Sequence, residues 1–233
     1  MTDQLMTYLH KQFKTLMPVM LFAYVPTLAA LVGIAFGALV TGRRVWYFTA
    51  DPFVLGNLPF YAGILSNVGI LLWCAAAAIC FFSVAVLKGA NQARDWRLFL
   101  LMSGILTSLL LFDDLFQMHK IFYPWLFNLA EVLIYGVYGI FALWYLIHFR
   151  KQILKTEFLL LAFAFTFFAL AVIFDTLNIL PRGRTAFSDG LKLLGIVSWF
   201  TYFTRTCHRV VGSLGHRVSE EADSSWLIGR SKW

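Results

Sequence analysis

Six apolar runs, each long enough to cross a hydrocarbon core, divide this chain and constrain its fold more than any other feature. A crossing helix needs about 20 apolar residues at about 1.5 Å each. The runs fall near 17–40, 64–87, 98–119, 125–149, 157–180 and 189–211, separated by GRR at 42–44, KGANQARDWR at 88–97, Pro124, RKQILKTE at 150–157 and PRGRTAFSDG at 181–190. In lipid every backbone N–H and C=O must be paired within the protein, and helices do this locally. The expected fold is therefore all-α, a polytopic bundle of six transmembrane helices. Composition agrees: 60% of the residues are hydrophobic and only 13% are charged, against about 25% charged in soluble domains.

The net charge of +7 invites a nucleic-acid reading, but the basic residues stand at the ends of the apolar runs. They sort by side instead. With both termini inside, Arg43, Arg44, Lys120, Arg182 and Arg184 lie outside and Lys192 is embedded, while the other lysines and arginines are all inner. The positive-inside rule thus predicts an N-in, C-in topology, in a membrane read as the bacterial inner (plasma) membrane. The run at 16–40 is too long for the apolar stretch of a leader and lacks a clear small-residue cleavage site, so it is expected to be a retained span. Residues 1–16 repeat Leu5, Leu9, Phe13 and Leu16 at helical spacing and read as an interfacial amphipathic helix. Residues 17–211 form the transmembrane domain and 212–233 a polar cytoplasmic tail. Cys74, Cys80 and Cys207 form no disulfide pattern and read as small buried hydrophobes.

The acids carry the functional argument. Under this topology Asp113, Asp114, Glu131, Asp175 and Asp189 fall in the outer half of the membrane or at its edge. Counted along their helices, Asp113 and Asp114 lie on the order of 8–15 Å from the outer end, Glu131 roughly 10 Å and Asp175 about 8 Å. Glu131 and Asp189 sit near helix N-termini, where the macrodipole favours a negative charge, and Ser188–Asp189 resembles an N-terminal cap. Asp113, Asp114 and Asp175 sit near C-terminal ends, where the dipole opposes them. An acid at the membrane centre costs about 2.5–3.5 kcal/mol on insertion scales. A cation, a proton, a basic partner or water must offset that cost.

Helical phase brings polar groups together. Ser103, Thr107, Asp114 and Gln117 share a stripe of the third span, and Asn128, Glu131, Tyr135, Tyr138 and Tyr145 a face of the fourth. Asn67 lies at the outer end of the second, and Lys192 one turn beyond Asp189. The stripe favours Asp114 as the inward member of its pair. A short similarity between FDDL at 112–115 and FDTL at 174–177 favours Asp113.

Asp113, Asp114, Glu131 and Asp175 are accordingly the candidate catalytic groups, and Lys192, Tyr135, Tyr138 and Asn67 the candidate substrate contacts. Asp114, His119, Glu131, Asp175 and Asp189 are candidate ligands for one or two divalent metal ions, since carboxylates with one imidazole suit a hard or borderline cation. The expected partners are the lipid bilayer and a lipid or small-molecule substrate at the outer face, with no nucleic acid. The sequence reads as a metal-dependent, hydrolase-like, lipid-modifying membrane enzyme. A proton- or cation-coupled transporter and a structural subunit are the alternatives. No nucleotide-binding, serine-hydrolase or zinc-protease motif is present.

Overall fold

The computed structural model describes residues 2–50, 52–59, 61–89, 94–118, 123, 126, 131–176 and 184–230. Among the described residues every regular element is helical. The chain divides into two compact units, residues 1–62 and residues 63–233.

The first unit is dominated by α1 (Thr2–Thr41), followed by the short helices α2 (Trp46–Thr49) and α3 (Pro52–Leu55). One helix therefore covers both the segment read as interfacial and the first apolar run, without a break between residues 16 and 17. It also continues through Pro18 and Pro26. Gly42 closes it at φ 65, a left-handed conformation that a glycine adopts without penalty. Beyond that turn, the Arg43 guanidinium lies 5.3 Å from the centre of the Tyr47 ring.

The second unit contains α4 (Ile64–Val86), α5 (Arg94–Phe116), α6 (Glu131–His148), the short α7 (Arg150–Ile153), α8 (Phe158–Thr176) and α9 (Arg184–Arg230). Helices α4, α5 and most of α8 are long and apolar enough to cross a membrane. The apolar run predicted at 125–149 is described as helix from Glu131 onward, and the predicted tail at 212–233 is helical as far as Arg230. α9 packs along α8 and α4, and α4 also packs along α5.

Small residues set these spacings. A Cβ on Gly195 would fall 2.5 Å from the Phe168 ring, and one on Gly104 would fall 2.9 Å from the Phe81 ring. Glycine lets the neighbouring helix bring an aromatic ring against the backbone, the usual device for close helix approach in lipid. Aromatic rings fill the interior. Phe99 meets Tyr145, Phe149 and Phe203 at centroid distances of 6.1, 5.4 and 6.2 Å. Trp199 meets Trp73, Phe165 and Phe203 at 5.7, 5.6 and 5.1 Å. Cys80 and Cys207 are buried free thiols in this core, whereas Cys74 is exposed. Six residues rotate a helix by about 240°, so Cys74 and Cys80 cannot share a face.

The second unit exposes many apolar side chains around an interior that holds several polar ones. Ile140 is 72% exposed and Leu71 68%, while Asp114 is 4% exposed and Ser103 and Thr107 are completely buried. In water this arrangement would leave large apolar surfaces unburied. In lipid it is the favourable one, and it supports membrane residence independently of helix length.

Candidate functional site

The site grows from the last turns of α5. Ser103, Thr107 and Asp114 fall within about 40° of each other around that helix, and all are buried. Asp113 is buried as well, at 9%. Adjacent residues on a helix diverge by about 100°, so the two carboxylates meet different neighbours. Asp114 turns toward α9 and forms an ion pair with Lys192, whose Nζ donates to Oδ1. Asp113 turns toward α6, where the Tyr138 hydroxyl donates to its Oδ1 at 2.7 Å. Both acids therefore face inward. The stripe and the short repeat each pointed to one of them, and adjacent positions can serve two neighbouring helices at once.

Helix α4 supplies an absence of bulk. A Cβ on Gly69 would stand 3.9 Å from Asp114 Oδ2 and 3.0 Å from the Ile196 Cδ1 atom. Glycine there keeps α4 clear of the carboxylate and of α9. At the end of α5, Gln117 takes a left-handed backbone with φ 51, which costs about 1–2 kcal/mol in a residue with a Cβ. Its side-chain amide returns to the Asp114 carbonyl at 3.0 Å, satisfying one of the free carbonyls at the helix end.

The ammonium is the group that offsets the burial of Asp114. An ionised carboxylate at 4% exposure is tolerable when a full positive charge stands beside it. The Lys192 side chain keeps 36% of its surface exposed, so the pair can be reached from this end of the bundle.

The other predicted positions that are described lie outside this pair of contacts. α9 is already helical at Arg184, so Ser188 and Asp189 lie in its second turn and do not form its N-terminal cap. Ser188 instead donates to the Ala171 carbonyl of α8 at 3.0 Å. Asp189 is exposed, and Lys192, rotated from it by about 60°, is turned inward. Asp175 is half-buried in the last turn of α8, Tyr135 is half-buried one turn before Tyr138, and Asn67 is exposed in the first turn of α4. Glu131 opens α6, and nothing is described of its side chain. His119 and Asn128 lie outside the described residues. Among the described residues no three His, Cys, Asp or Glu side chains are grouped to hold a metal ion. The structure thus joins Asp113, Asp114, Lys192 and Tyr138.

Beyond the ion pair, α5 and α9 are linked again by Trp199, whose Nε1 donates to Thr107 Oγ1 at 3.0 Å. Both helices step seven residues between these two contacts, almost two full turns, so the contacts lie on one antiparallel seam. Thr107 Oγ1 spends its hydrogen on the Ser103 carbonyl at 2.7 Å. Ser103 Oγ donates to the Phe99 carbonyl at 2.7 Å, so in its 2.6 Å contact with Tyr145 the phenol must be the donor. The same logic holds where Tyr202 meets Thr156 at 2.8 Å, because Thr156 donates to the Ile153 carbonyl. Each chain ends on a backbone carbonyl. These are short hydrogen-bonded chains that lock helices together.

At the opposite end the charges are ordinary and exposed. The Arg205 guanidinium grips both oxygens of Glu157, one at 2.6 Å, and holds that carboxyl below the usual range.

The seam was invisible to a reading of acids alone. Trp199, seven residues after Lys192, and Gly69, the glycine of α4, were its available signals.

Residues 19–206 match a family described as a domain of unknown function, DUF8692. The match covers every candidate position discussed above. Comparisons with curated proteins and with solved structures return no match.

Proposed function

We propose that this chain, which belongs to the DUF8692 family, is a six-span protein of the bacterial inner membrane, N-in and C-in, with a carboxylate-rich site open to the outer face. We read the site as hydrolase-like and acting on a lipid or another outer-face substrate. One observation carries the reading: two adjacent buried carboxylates at one end of the bundle, each held by a different kind of partner.

Different partners suit different tasks. The ammonium sets a full positive charge beside Asp114, while Asp113 lies in hydrogen-bonding contact with a phenol, the kind of group through which an acid or base exchanges a proton. Lys192, a third exposed, is placed to meet an anionic head group as well as to balance Asp114. A divalent ion at Asp114 would have to displace that ammonium. The terminated hydrogen bonds beyond Thr107 favour a one-sided site over transport through the bundle.

The test is product analysis of lipid and outer-face substrates with purified protein in nanodiscs, alongside metal content. Turnover by the wild type, lost in Asp113→Asn and Asp114→Asn that still unfold cooperatively, supports the reading. No product together with gradient-driven flux in liposomes replaces it with transport. Neither product nor flux, with loosened Asn variants, leaves a structural network. Equal metal content in wild type, Asp114→Asn and Asp175→Asn, or none in any of them, removes the metal from the mechanism.

A further inference from the structure

The end of the bundle opposite the carboxylates holds a cavity of about 530 Å³ at the corner of α5, α6 and α7, lined by Asp95, Leu98, His148, Phe149, Arg150 and Lys151 among others. Its chemistry is divided. Phe149 is a buried apolar floor. Arg150 and Lys151 are exposed, and among the described residues neither is engaged in an ion pair. Neighbouring cations are occupied: Arg205 holds Glu157, Arg209 donates to the Lys155 carbonyl and Arg97 to the Lys88 carbonyl. The His148 ring stacks on Trp144 at 5.2 Å and 18°, which fixes it at the rim.

An apolar strip leads away from this cavity. Ile140, Leu143, Trp144 and Ile147 are all exposed large hydrophobics, and their spacing puts them on one face of α6. The cavity is therefore cationic where it ends α6 and apolar along the helix that feeds it. A free anion would use only the first part; a phospholipid uses both.

We infer that this corner binds one anionic phospholipid, with its phosphate against Arg150 and Lys151 and an acyl chain along the exposed face of α6. Asp95 limits the positive charge of the cavity and offers an acceptor to a hydroxylated head group, so phosphatidylglycerol fits better than a lipid bearing only phosphate. Basic pockets between helix ends recognise anionic head groups in this way.

Native mass spectrometry of the full-length protein, delipidated in neutral detergent and titrated with phosphatidylglycerol or phosphatidylcholine, reads the result directly. One phosphatidylglycerol should bind at least about tenfold more tightly than phosphatidylcholine. The Arg150→Gln/Lys151→Gln variant should lose about 30-fold in affinity, the effect of two juxtamembrane basic residues. A charge-matched Lys11→Gln/Lys14→Gln control should keep it, and millimolar inorganic phosphate should not compete. Equal binding of the two lipids, unchanged affinity in the Arg150/Lys151 variant, an equal loss in the control, or full displacement by inorganic phosphate would overturn the inference.

Discussion

Replacing Lys192 by methionine removes the ammonium while keeping most of the stem, and it tests whether the Asp114 pair holds the bundle together. Two unit charges about 4 Å apart attract by about 4 kcal/mol at an effective dielectric constant of about 20. The Lys192 side chain is 36% exposed, so water and head groups screen part of this. A net loss of about 2–3 kcal/mol is expected, because Asp114 stays buried without its counter-charge. At about 2–4 °C per kcal/mol in a chain of this size, Tm in detergent should fall by about 4–12 °C. Asp114→Asn alone should cost less, about 1 kcal/mol, since a partly exposed lysine can extend toward the surface. The double variant Asp114→Asn/Lys192→Met should then be more stable than Lys192→Met, with a coupling of about 2 kcal/mol by a double-mutant cycle. An unchanged Tm in Lys192→Met, or strictly additive single effects, would refute the account of how Asp114 is accommodated.

Other outcomes follow from the packing and from the exposed ion pair. Gly195→Ala drives a methyl group into the Phe168 ring, which is itself stacked on Trp73 at 5.7 Å. It should cost about 1–3 kcal/mol in thermal unfolding, whereas Gly136→Ala, with nothing within 4 Å, should gain up to about 1 kcal/mol. Tyr145→Phe removes a donor but leaves Ser103 bonded to the Phe99 carbonyl; a loss of about 0.5–1.5 kcal/mol is expected, with substrate turnover at the carboxylate end unchanged in the same preparation. Arg205 lowers the pKa of Glu157 from its usual 4.5, so its contribution is complete above that pH and disappears as pH falls through the lowered value. Glu157→Gln should flatten that segment of the Tm–pH curve slightly, and less so in high salt, because the pair is exposed.

The apolar runs determined, without any structure, that the chain is helical and suited to lipid, because backbone pairing in a hydrocarbon admits little else. Helical phase also placed Ser103, Thr107 and Asp114 on one stripe, a property of 3.6 residues per turn that needs no partner. It could not supply the rotation of one helix against another. Only the tertiary arrangement decided that Asp113 would serve α6 and Asp114 α9, that Lys192 would be the compensating charge, and that Asp189, three residues away, would turn outward. It also converted Ser188 from an expected cap into a bond between helices, since the helix had begun a turn earlier than the sequence signals implied. Along one helix the order of residues fixes their directions. Between helices direction is set by where bulk is missing, at Gly69, Gly104 and Gly195, and by which long side chains can span the gap, as Lys192 and Trp199 do.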